Sequence, residues 1–204
     1  MFVVCLDLEG VLSEEVWINV SLKTGIEELK LTTRDVSDYD VLMKRRLKIL
    51  KENNITLKEI QNIIGEMDLL PGALEFLNWL RSVTQVIILT DSYIEFALPI
   101  VKKLGYPTLF CHDLETDEKG IISNYRLRIK NMKKQSVISF KNMNYDVIAI
   151  GDSYNDIDML KEAKYGILFK PPKKVIEEYP EYPVITEYSQ LKEKISEYIG
   201  LKTS

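Results

Sequence analysis

The sequence contains one histidine, His112, and two cysteines, Cys5 and Cys111, that form no CxxC motif. A single histidine excludes a metal centre with two histidine ligands and any mechanism that needs a histidine pair. The cysteines lie in or beside strand-like apolar runs, so we expect buried free thiols and neither a disulfide nor a metal site. We expect His112, which follows "TLFC", to be structural.

The sequence also lacks an excess of basic residues and any long apolar run. Its net charge of -4 offers no positive field for nucleic acid or for an anionic membrane. No apolar run approaches the roughly 20 residues that cross a bilayer, and the N-terminus lacks the regions of a signal peptide. We therefore expect a cytoplasmic protein whose partners are small molecules, with no nucleic acid and no membrane.

Short apolar runs alternate with helical stretches along the chain. This alternation predicts an α/β fold with a doubly wound, mainly parallel sheet and helices on both faces. The segment "LETDEKGIISNYRLR" breaks the rhythm, because a glycine-centred turn between two alternating runs is typical of a β-hairpin. The predicted strands carry the sequences "FVVCLDL", "QVIILTD", "PTLFC", "DVIAIGD", "YGILF" and "YPVIT".

The stretch from residue 14 to residue 70 contains no convincing strand and at least three helical patterns. It is too long for a simple crossover connection, so we interpret it as a small helical cap inserted after the first strand. The predicted domains are therefore an α/β core, residues 1–13 and 71–204, and a cap, residues 14–70.

One helix of this predicted cap has a cation on its apolar face. At 100° per residue, "YDVLMKRRLKILKEN" places Arg46 among the apolar side chains, with the lysines opposite. A buried guanidinium is costly unless it is paired. Arg46 therefore either pairs with a structural carboxylate or awaits an anionic ligand, and helix geometry alone does not separate these readings.

Three of the predicted strands end in oxygen-bearing side chains. Ligands of open parallel sheets bind beyond the carboxyl ends of the strands, so these residues are expected to converge. Any one of the acids alone would more often be a helix cap. Together they favour a magnesium site, because a hard divalent cation takes oxygen ligands and offsets the repulsion between carboxylates. The residues are Asp7, Glu9, Thr90, Asp152 and Asp156.

Four ordered motifs resemble those of the haloacid dehalogenase superfamily over residues 2 to about 170. They are "DLEGV", Thr90 closing "VIILT", Lys133 or Lys134 before a helix, and "GDSYND". Within the superfamily the chain is similar to the phosphoserine phosphatases with a helical cap. It is most similar to those that also act as homoserine phosphotransferases, through "CLDLEGVL", "TTRD...DYDVLMK" and "GDSYND".

The resemblance implies a reaction through an aspartyl phosphate. Asp7 would be the nucleophile, and Glu9 would be the general acid that protonates the departing serine oxygen. Asp7, Asp152 and Glu9, the latter through its main-chain carbonyl or its side chain, would hold Mg²⁺, and Asp156 would support these ligands. Glu9 departs from the aspartate that is usual in the superfamily, and its longer side chain reaches farther.

The resemblance also implies which residues bind the substrate. Thr90 and Lys133 would contact phosphoryl oxygens and Asn155 would orient the phosphate, while residues 46 and 15 of the cap would bind the amino acid. The Arg46 guanidinium would pair with the substrate carboxylate and Glu15 with its ammonium, although Glu14 offers the same chemistry. Asp91 is a candidate phosphate contact at a position where many phosphoserine phosphatases carry glycine. The relatives suggest a homodimer, with homoserine as a second acceptor.

Three other readings stay open from the sequence. A receiver-type signalling domain also combines strand-end acids, threonine, lysine and magnesium, but it has no large insert directly after its first strand. A magnesium-binding or metabolite-binding module without activity would need the same oxygen ligands. A phosphatase for another small phosphorylated metabolite would share the core and differ in its cap.

Overall fold

The computed structural model describes residues 1–32 and 38–201. Of the "TTRD" stretch at residues 32–35, only Thr32 lies within the described residues. Within this part of the chain, seven strands form one sheet in the order β4-β3-β2-β1-β5-β6-β7. The strands are β1 Phe2–Leu6, β2 Gln85–Tyr93, β3 Leu109–Thr116, β4 Ile122–Arg126, β5 Asp146–Gly151, β6 Tyr165–Phe169 and β7 Val184–Ile185.

All neighbouring strands pair in parallel except β3 and β4, which form the antiparallel hairpin that the glycine-centred turn predicts. Strand β1 lies between β2 and β5, with Cys5 opposite Ile87 on one side and Ala149 on the other. Its residues are almost wholly buried because helices cover both faces of the sheet, as in other parallel sheets. The predicted doubly wound, mainly parallel α/β fold is confirmed.

The predicted helical pattern "YDVLMKRRLKILKEN" forms helix α2, Tyr39–Glu52. Helix α4 begins at Ala73, with Gly72, at φ 85°, as its N-cap and Pro71 before it. The described α-helices are α1 Val16–Thr24, α2 Tyr39–Glu52, α3 Leu57–Glu66, α4 Ala73–Val83, α5 Ile94–Lys103, α6 Met132–Asn142, α7 Ile157–Glu162, α8 Lys173–Glu178 and α9 Tyr188–Ile199. Short 3-10 helices lie at Glu27–Lys30 and Tyr154–Asp156.

Helices α1, α2 and α3 and the first 3-10 helix fill the chain between β1 and α4. The two connections of this helical segment lie side by side: Ser13 forms an antiparallel bridge with Leu69, and the Leu70 N–H donates to the Leu12 carbonyl at 3.0 Å. The two chain connections that join this segment to the α/β layers are therefore adjacent and hydrogen-bonded to each other. Its division from the core at residues 14 and 70 stays a prediction.

The order of the strands places the functional end of the sheet. The chain runs from β1 outward to β2 on one side and to β5 on the other, which makes the carboxyl end of β1 a topological switch point. Strand β2 does not end at Thr90 as expected but continues to Tyr93, and its pairing with β3 is irregular between Leu89 and Tyr93. Residues 90–92 thus lie in a distorted stretch beside this switch point.

Cys5 and Cys111 are buried free thiols, as expected. Among the described residues, no helix is both long and apolar enough to span a membrane.

Candidate active site

Asp7 follows β1 directly and is fixed by the neighbouring strand. Its N–H donates to the Ile150 carbonyl at 2.9 Å, and its Oδ1 accepts from the Leu8 N–H at 2.7 Å. The side chain is buried, which raises the pKa of the carboxyl well above its ordinary value. Asp156 and Asp152 raise this pKa further, whereas Lys133 opposes the shift. The second oxygen of Asp7 remains directed to charged groups rather than to the backbone.

The cation of the site is Lys133, in the first turn of α6. Its Nζ lies 2.7 Å from Asp156 Oδ1, 2.9 Å from Asp7 Oδ2 and 3.5 Å from Asp91 Oδ2. Burial disfavours the ammonium, but the charges of Asp156 and Asp7 outweigh it, so the pKa of Lys133 is raised. The sequence left positions 133 and 134 open, and the structure places the Lys133 side chain against the carboxylates.

Asp152 and Asp156 follow β5, and the Asp156 carboxylate binds the backbone at Asp152. Asp156 Oδ2 accepts the N–H groups of Asp152 and Ser153 at 3.0 and 3.1 Å, so this fully buried carboxylate orders the loop. The loop is tight: a Cβ on Gly151 would lie 2.2 Å from Asp156 Cγ. Burial and the charge of Asp156 raise the pKa of Asp152 to about 7.

Oxygen atoms of Asp7, Asp152 and Asp156 lie within 4.8 Å of one another. Three buried carboxylate oxygens fit a hard divalent cation such as Mg²⁺, which would also relieve their repulsion. Gly10, at φ 79°, borders this group, and a Cβ there would lie 2.5 Å from Asp152 Cγ. The close approach explains why glycine stands at this position. The predicted ligands Asp7 and Asp152 are thus together, and Asp156, expected to act in support, joins them.

Among the described residues, the Glu9 side chain is not a member of this oxygen cluster. Its Oε2 accepts the Val16 N–H at 2.8 Å, at the start of α1. Burial, followed by the charge of Glu15, raises the pKa of Glu9 to about 7, although the Val16 N–H and the Ser92 hydroxyl oppose the shift. A carboxyl with this pKa suits an acid that also serves as a base near neutral pH.

Glu15 is the N-cap residue of α1, yet its side chain accepts no capping hydrogen bond. It is half-buried and close enough to Glu9 to influence its pKa. Glu14 is exposed and accepts a hydrogen bond from the Asn19 side chain at 3.1 Å. Of the two acids that the sequence offered, the structure brings Glu15 to the site.

Arg46 is 6% exposed, as its position on the apolar face of α2 predicts. Its Nη2 donates to the Leu31 carbonyl at 2.6 Å, and its guanidinium carbon lies 4.5 Å from the ring centroid of Trp17. Burial lowers the pKa of Arg46 to about 10, while nearby Tyr39 and Glu9 act in the opposite direction. At this pKa the side chain is a cation at neutral pH. The contact with Trp17 could not be predicted from the sequence, because helix spacing within α2 does not report on the position of α1.

The distorted end of β2 supplies further polar groups. Thr90 is buried, and its Oγ1 accepts the Ser92 N–H at 3.2 Å, which leaves its hydroxyl proton available to a ligand. Asp91 Oδ2 accepts from Asn155 Nδ2 at 3.1 Å and lies 3.5 Å from Lys133 Nζ. Asp91 therefore contacts two of the predicted phosphate contacts, Asn155 and Lys133, and follows the third, Thr90, in the sequence. His112 Nε2 lies 3.9 Å from Asp91 Oδ1. The single histidine thus borders the site, and burial lowers its pKa.

Comparisons with known proteins show which family the chain is similar to. Residues 3–164 match the sequence model of a hydrolase family, the haloacid dehalogenase-like hydrolases. The chain is 53% identical over 192 residues to phosphoserine phosphatase ThrH of Pseudomonas aeruginosa, covering 94% of each chain. It is 52% identical over 192 residues to a phosphoserine phosphatase of Pseudomonas syringae pv. tomato, covering 94% of this chain and 81% of that protein.

Solved structures share the fold at lower identity. A substrate-bound phosphoserine phosphatase complex superposes with a TM-score of 0.75 at 18% identity and 97% coverage of both chains. A phospho-aspartyl intermediate analogue of phosphoserine phosphatase gives a TM-score of 0.72 at 20% identity, covering 91% of this chain and 93% of that one. At these identities the likeness describes the fold and not the substrate.

Proposed function

The chain belongs to the haloacid dehalogenase-like hydrolases, and from this premise we propose that it is a magnesium-dependent phosphoserine phosphatase that acts through a phosphorylated Asp7. The observation that carries the proposal is the buried Asp7 carboxylate at the end of the central strand. It lies 2.9 Å from Lys133 Nζ and beside two further carboxylates. The two Pseudomonas relatives named phosphoserine phosphatases support the substrate.

In the first step, one oxygen of Asp7 attacks phosphorus, and the bond from phosphorus to the serine oxygen breaks. Glu9, with a pKa of about 7, gives its proton to the departing serine oxygen. In the second step Glu9 takes a proton from water, whose oxygen attacks phosphorus, and inorganic phosphate leaves Asp7. Dividing one hydrolysis into two displacements is the gain of covalent catalysis.

The remaining groups of the core position and neutralise the phosphoryl group. Lys133 and the Thr90 hydroxyl donate to its oxygens, and Asn155 orients it. Asp7, Asp152 and Asp156, whose oxygens cluster within 4.8 Å, would hold Mg²⁺. Bound there, the cation would offset the negative charge of the phosphoryl group.

The helical segment supplies the recognition of the amino acid. Arg46 is a buried cation and Glu15 a half-buried acid whose charge acts on the pKa of Arg46. Their opposite charges match the carboxylate and the ammonium of serine. In this reading residues 14–70 form a cap that closes over the core, residues 1–13 and 71–204. A cytoplasmic location and a homodimer belong to the same proposal.

The direct test is steady phosphate release from phosphoserine with Mg²⁺. Activity should vanish in EDTA and in Asp7→Asn, and beryllofluoride, which imitates an acyl phosphate, should bind Asp7 in a structure with magnesium. Multiple turnovers would exclude a receiver domain and a silent binding module. A screen in which another phosphorylated metabolite is hydrolysed much faster would contradict the substrate while leaving the reaction class intact.

A second activity, transfer of the phosphoryl group to homoserine, is proposed for the same site. It is favoured by the position of Glu9, whose carboxylate is held at the start of α1 and can act as a base toward a bound alcohol. Homoserine has the same ammonium and carboxylate as serine. Phosphoserine with Mg²⁺ and homoserine should then yield O-phosphohomoserine, in a share that grows with homoserine. Release of inorganic phosphate alone at saturating homoserine would exclude the transfer.

A further inference from the structure

Trp17 lies in α1, one residue after the Val16 N–H that binds Glu9. Its ring centroid is 4.5 Å from the guanidinium carbon of Arg46, within the range of a cation–π contact. The indole also packs edge-on against Phe96 of α5, with 5.4 Å between the ring centroids and 74° between the ring planes. A side chain of the core thus supports the indole that supports the guanidinium.

The donors of Arg46 are only partly used. Nη2 donates to the Leu31 carbonyl, and the Nη1 contact is to the weak acceptor Met43 Sδ at 3.6 Å. Nε is buried and has no hydrogen-bond partner among the described residues. No acid of the described chain lies within ion-pair distance of Arg46.

A buried donor without an acceptor is costly, and so is a buried cation without an anion. An indole is well suited to lower that cost without filling the ligand site. The guanidinium carbon lies over the face of the indole ring, which stabilises the cation but offers no oxygen or nitrogen acceptor to its N–H groups. A structural carboxylate in the same place would consume these N–H groups and cancel the charge.

We propose that Trp17 is a positioning residue for substrate recognition, which holds the Arg46 guanidinium so that Nε–H stays available to the substrate carboxylate. The proposal rests on the proposed function, because it assigns the support of the same amino-acid site. Trp17 does not touch the reacting atoms and acts through Arg46. It tunes selection for esters that carry a carboxylate over esters that lack one.

The test measures binding without turnover. In the magnesium-loaded Asp7→Asn protein, calorimetry gives Kd for phosphoserine and for phosphoethanolamine, which differs from phosphoserine only by lacking the carboxylate. Trp17→Leu, which keeps an apolar side chain, should raise Kd for phosphoserine about 5-fold to 30-fold, the effect of a desolvated cation–π contact. Kd for phosphoethanolamine should change less than about twofold. Trp17→Phe, with a smaller aromatic face, should lie between Trp17→Leu and the native residue.

A double-mutant cycle separates positioning from general packing. In an Arg46→Met background, Trp17→Leu should change Kd for phosphoserine less than about twofold, because the partner through which it acts is gone. Trp79 is a matched control: it is the other tryptophan and also lies near a cation, 5.7 Å from Lys192 Nζ, but in α4. Trp79→Leu should leave both Kd values within about twofold.

The proposal would be overturned if Trp17→Leu raised Kd equally for both esters, or if it raised Kd for phosphoserine as much in the Arg46→Met background as without it. It would also be overturned if, with Trp17 and Arg46 in place, Kd were the same for phosphoserine and phosphoethanolamine. If Trp17→Leu does not fold, Trp17→Phe decides: weakening confined to phosphoserine supports positioning, and no difference between the esters overturns it. Phosphate release by the native chain is measured separately. Its absence would contradict the proposed function alone, whatever the Kd values show.

Discussion

Replacing Lys133 tests whether its positive charge offsets the repulsion between the buried carboxylates of this site and so stabilises the fold. Lys133 is 1% exposed, and its Nζ contacts Asp156, Asp7 and Asp91 at 2.7, 2.9 and 3.5 Å. Lys133→Met keeps the length of the side chain and removes its charge. The metal-free variant is then left with buried carboxylates that repel each other and have no compensating cation.

The burial of these ion pairs sets the expected loss of stability. Removing one partner of a buried ion pair costs about 3–5 kcal/mol, because the other charge is left unpaired. For a chain of this length, such a loss lowers Tm by roughly 6–20 °C. Two conditions should reduce the loss: Mg²⁺, which would supply positive charge to the same oxygens, and acidic pH, at which the carboxylates are neutral.

The assay is urea unfolding and thermal melting at pH 8, in EDTA and in Mg²⁺. Lys134→Met is the control, because residue 134 is half-buried and next in sequence, and it should change stability by less than about 1 kcal/mol. Asp156→Asn, combined with Lys133→Met, should recover part of the loss by removing one of the unpaired charges. A Lys133→Met protein as stable as Lys134→Met in EDTA would refute the reasoning.

Three further predictions concern recognition, metal binding and pH. Arg46→Ala should raise KM for phosphoserine about 10-fold to 100-fold, the loss of a charged hydrogen-bonded contact, and hardly affect phosphoethanolamine; equal losses with a lowered Tm would mean that Arg46 only stabilises the fold. Gly10→Ala should weaken Mg²⁺ binding measured by calorimetry, because its Cβ would lie 2.5 Å from Asp152 Cγ, and unchanged affinity would contradict the close approach. The pKa of Asp152 is raised to about 7 from 3.8, so the metal-free folded state holds this proton more tightly than the unfolded state, and its stabilising contribution is lost as pH rises through about 7. In EDTA, Asp152→Asn should therefore match the native Tm near pH 4 and exceed it at pH 8, and a Tm advantage that does not grow with pH would exclude the shift.

The sequence by itself determined the sheet and the residue types at its functional end. Apolar runs such as "VVCL" and "VIAI" form strands whose side chains are buried on both faces, and the acids that follow them lie at the carboxyl ends of these strands, where parallel sheets bind ligands. Asp7 and Asp152 were predictable for this local reason. Arg46 was predictable from helical periodicity within α2, and the β3–β4 hairpin from the turn at Gly120, whose φ is 76°.

The tertiary structure decided which of these groups meet. One residue of rotation, about 100°, separates Lys133 from Lys134 on α6, and only the packing of that helix on the sheet selects Lys133. Asp156 shares the oxygen cluster with Asp7 because loops from different strand ends converge at the switch point. The Glu9 carboxylate instead accepts the Val16 N–H at the start of α1. Trp17 and Arg46 lie on different helices, so no local pattern relates them. Periodicity fixes which face a residue occupies, but contacts between distant segments depend on strand order and on how each helix packs.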